Sequence, residues 1–276
     1  MAEIKTGAQM IDLKNLRVLI KGAGEMASGV AFRLVQAGLK VLTTEIAAPL
    51  AVRRAVSFCE AVHDGEKTVE GLTARLVKNV TEAVMIQKKG MLPVLVDPDL
   101  SCLAEYQPQV IVDALLAKKN TGLKKTMADL TIGLGPGFNA PEEVHLAIET
   151  NRGHNLGRLI YEGSPEPNTG VPGAMDGVTA KRVLRAPSDG KFEPDCRLGD
   201  SVEQGQVLAL VNSVELKAQV SGVLRGLIRP GSSVYKGLKV GDIDPRGKVE
   251  YLNTISEKAR ALGGSVLEGI MHEFNR

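Results

Sequence analysis

The sequence predicts an α/β fold class: a parallel-sheet domain, then a small all-β domain, then a C-terminal helix. Three observations predict it. Between Arg17 and Glu162, short apolar runs alternate with amphipathic stretches. Between Ala186 and Gly237, the chain repeats itself without a gap at a spacing of 32 residues. From Tyr251 to Phe274, apolar residues return at helical spacing (Ile255, Ala259, Leu262, Val266, Ile270). The expected organisation is an α/β domain over 12–165, a linker or surface loop over 166–182, a β domain over 183–247, and a helix over 248–276 that packs back on the first domain.

Each element follows from local pattern. RVLIK (Arg17–Lys21) reads as a buried strand, and Glu25–Gln36 as a helix with Met26, Val30 and Leu34 on one face, ending at Gly38. A strand over Lys40–Ile46 and a helix over Leu50–Val62 follow. Thr68–Val77 alternates like a hairpin around Gly71, and a helix over Val80–Lys89 stops at Gly90. Val94–Asp97, Val110–Leu116 and Asp129–Gly135 are further apolar strands, and VHLAIET and GRLIYEG extend or cap the sheet. Buried strands alternating with helices imply a parallel sheet covered on both faces. The segment GSPEPNTGVPGAMDG has the Gly, Pro, Asn and Ser content of a loop.

The repeat is carried by identical residues at Ala186/Ala218, Gly190/Gly222, Arg197/Arg229, Gly199/Gly231, Ser201/Ser233, Val202/Val234 and Gly205/Gly237. Each copy reads turn, short strand, turn, then V-x-x-G before another strand. Neither copy buries a face alone, so the two should interlock. GDSVEQGQ followed by an apolar strand resembles the first half of a biotinyl/lipoyl-type barrel. Such a carrier needs a lysine at the tip joining its halves. The tip here is Asn212-Ser213, and Lys217 lies in the following strand. A barrel without an acyl arm is the expectation.

Composition excludes several classes. With 24% charged residues and a formal net charge of +2, no strong field points to nucleic acid or a membrane surface. The apolar runs stop well short of the roughly 18 residues that span a bilayer. The start, MAEIKTGAQMIDLKN, lacks the apolar core of a signal peptide. Cys59, Cys102 and Cys196 are odd in number and form no CxxC, which fits a reducing cytoplasm.

The strongest chemical motif is VLIKGAGEMASGVA. A strand runs into Gly22 and Gly24, with Ala27 at the third small position of a helix start, and Glu45 ends the next strand. Gly22 permits the turn, Gly24 lets backbone approach a phosphate, Ala27 allows close packing, and Glu45 stands where a ribose ligand would be. This is the pattern of a Rossmann-like domain, and NAD(P) or another nucleotide is its candidate cofactor. Glu25 beside the turn disfavours an anion there, and the alternative is that the glycines serve geometry only. A second turn, IGLGPGFNAP, could aim the amides of Gly133, Gly135 and Gly137 at one anion. Asp113, like Asp97, ends a buried strand and either faces the same crevice or caps a helix. His145, Glu149 and His154 form no metal-ligand spacing, so no metal is expected.

Taken together, GAGEMASGVAFRL, TTEIAAPLAVRRAVSFCEAVHDG, VDALLAKKNTG, IGLGPGFNAPEEVHLAIETNRGHNLGRLIYEG, PNTGVPG and KVGDIDPRG resemble the YqeB-type accessory proteins of selenium-dependent molybdenum hydroxylase systems. The resemblance runs from about Leu16 to Phe274 and implies an XdhC-like Rossmann part. It also implies a cytoplasmic maturation factor that binds a small phosphate-bearing ligand, a nucleotide or a molybdopterin-type cofactor, with a molybdenum hydroxylase as partner. The alternatives are an NAD(P)-dependent oxidoreductase and a non-catalytic docking scaffold. The family supplies no catalytic residue set.

Overall fold

The computed structural model describes residues 13–168, 170, 173 and 175–275. The expected domain start at 12 and residues 169, 171, 172 and 174 of the expected linker lie outside the described residues. Strands β1 (Arg17–Lys21), β2 (Lys40–Glu45), β3 (Glu66–Val69), β4 (Leu72–Val77), β5 (Leu92–Val96), β6 (Val110–Asp113), β7 (Leu130–Leu134), β8 (Leu146–Ile148) and β9 (Leu159–Ile160) make one sheet. Its order is β3-β4-β5-β2-β1-β6-β7-β8-β9. The pairs from β4 to β8 run parallel, and hairpins β3–β4 and β8–β9 close the two edges antiparallel.

This corrects the expected Rossmann-like parallel sheet: the sheet is mixed and only partly helix-covered. Glu70 and Gly71, at φ 46° and 87°, make the tight turn that folds β3 back on β4. Helices α1 (Glu25–Gln36), α2 (Ala61–Asp64), α3 (Val80–Lys88) and α4 (Leu103–Tyr106) all precede β6. The connections from β6 to β7 and from β7 to β8 contain no α-helix. Their half of the sheet is covered from the far end of the chain instead, by α5 (Glu257–Phe274). A Cβ on Gly269 of α5 would lie 2.5 Å from Leu146 Cδ2. α5 also crosses α1 at backbone contact: a Cβ on Gly29 would come within 2.6 Å of Ala259.

The expected helix over Leu50–Val62 is mostly two 3-10 turns, Arg54–Val56 and Phe58–Glu60, before the short α2. Tertiary bonds account for this. The Leu227 N–H donates to Val52 O at 2.8 Å, and Arg54 Nε donates to Leu227 O at 2.7 Å. These bonds tie Val52 and Arg54 to Leu227 and fix the segment's path there.

The C-terminal β unit holds β10 (Val183–Arg185), β11 (Gly190–Pro194), β12 (Ser201–Val202), β13 (Val207–Val211), β14 (Val214–Lys217), β15 (Gly222–Leu227), β16 (Ser233–Val234) and β17 (Lys239–Asp244). They form two four-stranded antiparallel sheets, β10-β17-β15-β12 and β14-β13-β11-β16. The expected biotinyl/lipoyl-like barrel is corrected accordingly: neither sheet closes on itself, and one apolar core including Phe192, Leu208, Leu224, Leu227 and Ile243 lies within the unit. Strands β11, β12 and β13 have counterparts 32 residues later in β15, β16 and β17. The copies exchange their short strands: β12 of the first pairs β15 of the second, and β16 of the second pairs β11 of the first. The bonds Gly199 N–H to Leu224 O and Gly231 N–H to Phe192 O, 2.9 and 2.7 Å, tie the exchange symmetrically. At the tip, Asn212 and Ser213 both take positive φ, and Lys217 pairs with Glu215 on exposed β14.

The β unit docks on the Val52–Asp64 segment, where Arg229 bonds Glu60 at 2.8 Å and also reaches Asp64. Among the described residues no helix is long and apolar enough to cross a membrane.

Candidate functional site

The first glycine turn is occupied by its own acid. Gly22, at φ 100°, turns the chain out of β1, and its N–H donates to Thr44 O at 2.9 Å. Glu45 Oε2 accepts the Ala23 N–H at 2.9 Å, and Oε1 accepts the Ile46 N–H at the same distance. The carboxylate that would greet a ribose therefore ties the turn to the end of β2. Gly24 caps α1 without a side chain, and a Cβ there would meet nothing within 4 Å. Ala27 is buried in the core. Gly22, Gly24 and Glu45 line a cavity of about 260 Å³ whose other walls include Pro49, Leu50 and Leu115.

The second turn is built by packing. A Cβ on Gly133 would fall 2.2 Å from the Phe138 ring, and one on Gly137 would strike the Lys119 backbone at 2.7 Å. Gly135 donates its N–H to Ile148 O at 3.1 Å. These glycines let loops close on one another. Asp113 is fully buried and accepts from Leu115 N and Thr121 Oγ1, both at 3.1 Å. Burial pushes its carboxyl up, against those bonds and the charge of Lys21. Asp97 caps the turn after β5 through Ser101 N and Cys102 N. Among the described residues no group of three or more His, Cys, Asp or Glu could hold a metal ion.

The densest electrostatics lie next door, in a cavity of about 380 Å³ between the sheet and the β unit. It adjoins the first through shared walls at Glu25, Met26 and Leu116. Arg53, Arg152, Arg182, Arg225, Lys239 and Lys258 line it against only Glu25, Glu166 and Asp242. Asp242, 2% exposed, is shared: Arg182 holds Oδ1, Arg225 holds Oδ2 at 3.1 Å, and Lys239 Nζ is 3.7 Å from Oδ1. Arg225 also sits 3.3 Å from Asp244, which Arg246 grips through Nε and Nη2 at 2.9 and 2.7 Å. Burial would push Asp244 up, but Arg246 and Arg225 outweigh it and hold the carboxyl below its ordinary value.

Arg53 is the most buried of these cations, at 4% exposure. Its Nη2 donates to the carbonyls of Tyr251, Leu252 and Thr254, and Nη1 stands 3.7 Å from Glu25. Nε and Nη1 make no hydrogen bond, nor do Nε of Arg182 and Arg225. Burial depresses the Arg53 pKa, Glu25 opposes it, and Arg225 adds repulsion. Six cations thus line the site against three carboxylates, with Asp244 and Glu257 pairing Arg225 and Arg152 from outside the lining.

None of these cations was among the residues expected to bind ligand. A signal was present: Arg225 interrupts the apolar run GVLRGLI, and Asp242 and Asp244 interrupt KVGDID. Charged residues inside strands that are otherwise buried find partners or face a cavity.

Comparison with known proteins places the chain as follows. No family model matches it. It is 50% identical over 254 residues, 92% of its length, to "Uncharacterized protein YqeB" of Escherichia coli (strain K12). The chain spans about half of that relative, 47% of its length. Among solved structures, the ectoine utilization protein EutE (DoeB) from Ruegeria pomeroyi is 14% identical, with 82% of this chain and 56% of that chain covered at a TM-score of 0.24. An aspartoacylase family protein from Mesorhizobium loti is 10% identical, with 83% and 84% covered at a TM-score of 0.25. Scores this low carry no argument about activity. The expected role in maturation of a selenium-dependent molybdenum hydroxylase is corrected. The YqeB description names no such role. The nucleotide-binding, oxidoreductase and scaffold readings are likewise not favoured.

Proposed function

We propose that this relative of YqeB binds a small organic anion, carrying a carboxylate or phosphate group, in the cleft between its sheet and its β unit. The observation that carries the reading is the excess of cations over carboxylates lining that cleft, with unbonded guanidinium N–H groups on Arg53, Arg182 and Arg225. Burying a cation without a full partner set costs several kcal/mol, and a bound anion returns much of that cost. Guanidinium groups suit such ligands because their planar fork matches both oxygens of a carboxylate or phosphate. Lys239, partly exposed at the wall, adds a further charge.

Isothermal calorimetry with inorganic phosphate, succinate and 2-oxoglutarate tests this. Binding should weaken steadily with added salt. Arg53→Met and Lys239→Met should each weaken it by about tenfold or more, since one charge-assisted hydrogen bond is worth about 1.5–3 kcal/mol. Arg53→Met also strands three carbonyls, so Lys239→Met is the variant that separates binding from folding. Affinity unchanged in Lys239→Met and Arg53→Met, with the fold intact by circular dichroism, would sink the reading.

A further inference from the structure

Lys258 is the one lysine of the cleft wall placed at a helix start, in the first turn of α5 behind the N-cap Ser256. The dipole of a helix favours anions at that end and disfavours an ammonium. Lys258 has no hydrogen-bond or ion-pair partner among the described residues. The other cleft cations behave differently. Arg152 pairs with Glu257, Arg182 and Arg225 share Asp242, and Lys239 leans on the same carboxylate. Lys258 thus presents a half-buried amine to a cationic cavity, with no hydrogen-bonded carboxylate among the described residues.

We propose that Lys258 forms an imine with the carbonyl carbon of a 2-oxo acid whose carboxylate is held by the arginines of the cleft. This rests on the anion reading above and names the ligand class and the reacting group. A lysine becomes a nucleophile when burial and a neighbouring cation favour its neutral form. Burial lowers the Lys258 pKa first and Arg152 lowers it further, while Glu25 and Glu149 pull the other way. The step balances without an oxidant or reductant. The Nζ lone pair forms a bond to the carbonyl carbon while the C=O π pair moves to oxygen. A proton passes from nitrogen to that oxygen, the nitrogen lone pair closes the C=N bond as the hydroxyl departs, and the remaining N–H proton joins that hydroxyl, giving water and the neutral imine. Glu25, lining the same cavity, is the acid–base group at hand. The anion-binding arginines place the carboxylate, so the adjacent carbonyl is delivered with its orientation set.

The test uses the full chain with 2-oxoglutarate and sodium cyanoborohydride, which reduces an imine to a stable secondary amine, followed by peptide mapping with mass spectrometry. The expected result is one saturable adduct per chain, on Lys258, at about tenfold or more the occupancy of any other lysine. Lys258→Arg, which keeps the charge and removes the primary amine, should lose that adduct while still binding 2-hydroxyglutarate by calorimetry. Should Lys258→Arg fail to fold, competition decides: 2-hydroxyglutarate should suppress the Lys258 adduct of the natural chain. Calorimetric binding of 2-oxoglutarate with adducts spread evenly over the lysines overturns the imine and leaves the anion reading standing. No binding of either acid, and no Lys258 adduct, overturns both.

Discussion

At the scale of single residues, Asp242 sets the balance of the cleft. It is the carboxylate that Arg182, Arg225 and Lys239 share. Asp242→Asn should therefore act in opposite directions on two measurements. Unfolding by urea should show a loss of about 3–5 kcal/mol, because two buried guanidinium groups lose their common partner. Anion affinity should rise by about tenfold, since one negative charge leaves the site and about 1.4 kcal/mol corresponds to that factor. Asp244 predicts a pH effect. Its folded-state pKa lies below its ordinary value of 3.8, so its stabilising contribution is present above that value and is lost as pH falls through the folded one. The gap in Tm between the natural chain and Asp244→Asn should be widest above about pH 5 and close on further acidification. Little of this was legible beforehand. Gly22, Gly24 and Glu45 do meet at one cavity, because a strand–turn–helix places them by local geometry alone. Arg53, Arg225 and Lys258 meet only through the docking of distant segments, and no spacing along the chain encodes that.

Among the elements, the parallel strands were readable because each is a nearly continuous apolar run, β1, β6 and β7 above all. What the pattern left open was which strands the C-terminal helix would cover. α5 lies over β7 and β8, from more than a hundred residues away. The small residues of α5 look like weak helix formers in sequence, and their value lies in contact: Gly263 sits where a Cβ would come within 2.7 Å of Gly29 O. Gly29→Val should overpack this crossing and cost about 1–3 kcal/mol. Differential scanning calorimetry should record a Tm lower by roughly 2–4 °C per kcal/mol lost. The same variant should weaken anion binding, since α5 carries Lys258 into the cleft. An unchanged Tm would mean that the two helices part without cost.

For the whole molecule, the repeat matters less as a pattern than as a way of joining. Each copy lends its short strand to the other's sheet, so neither half of the β unit is complete on its own. The covalent link between the copies passes through one exposed tip, Asn212–Ser213, while the lent strands cross it in both directions. A protease site inserted at that tip should therefore cut the chain without separating it. The longer fragment would keep β10 to β13, the shorter one β14 to β17 and α5, and each would fill the vacancy left in the other. Size-exclusion chromatography under native conditions should return both pieces in one peak, and urea should release them. Continuity of the peptide chain at this point should then prove dispensable to the assembled protein. The β unit behaves as a clasp that two separate polypeptides could close, and the fragments, expressed apart and mixed, should complement each other.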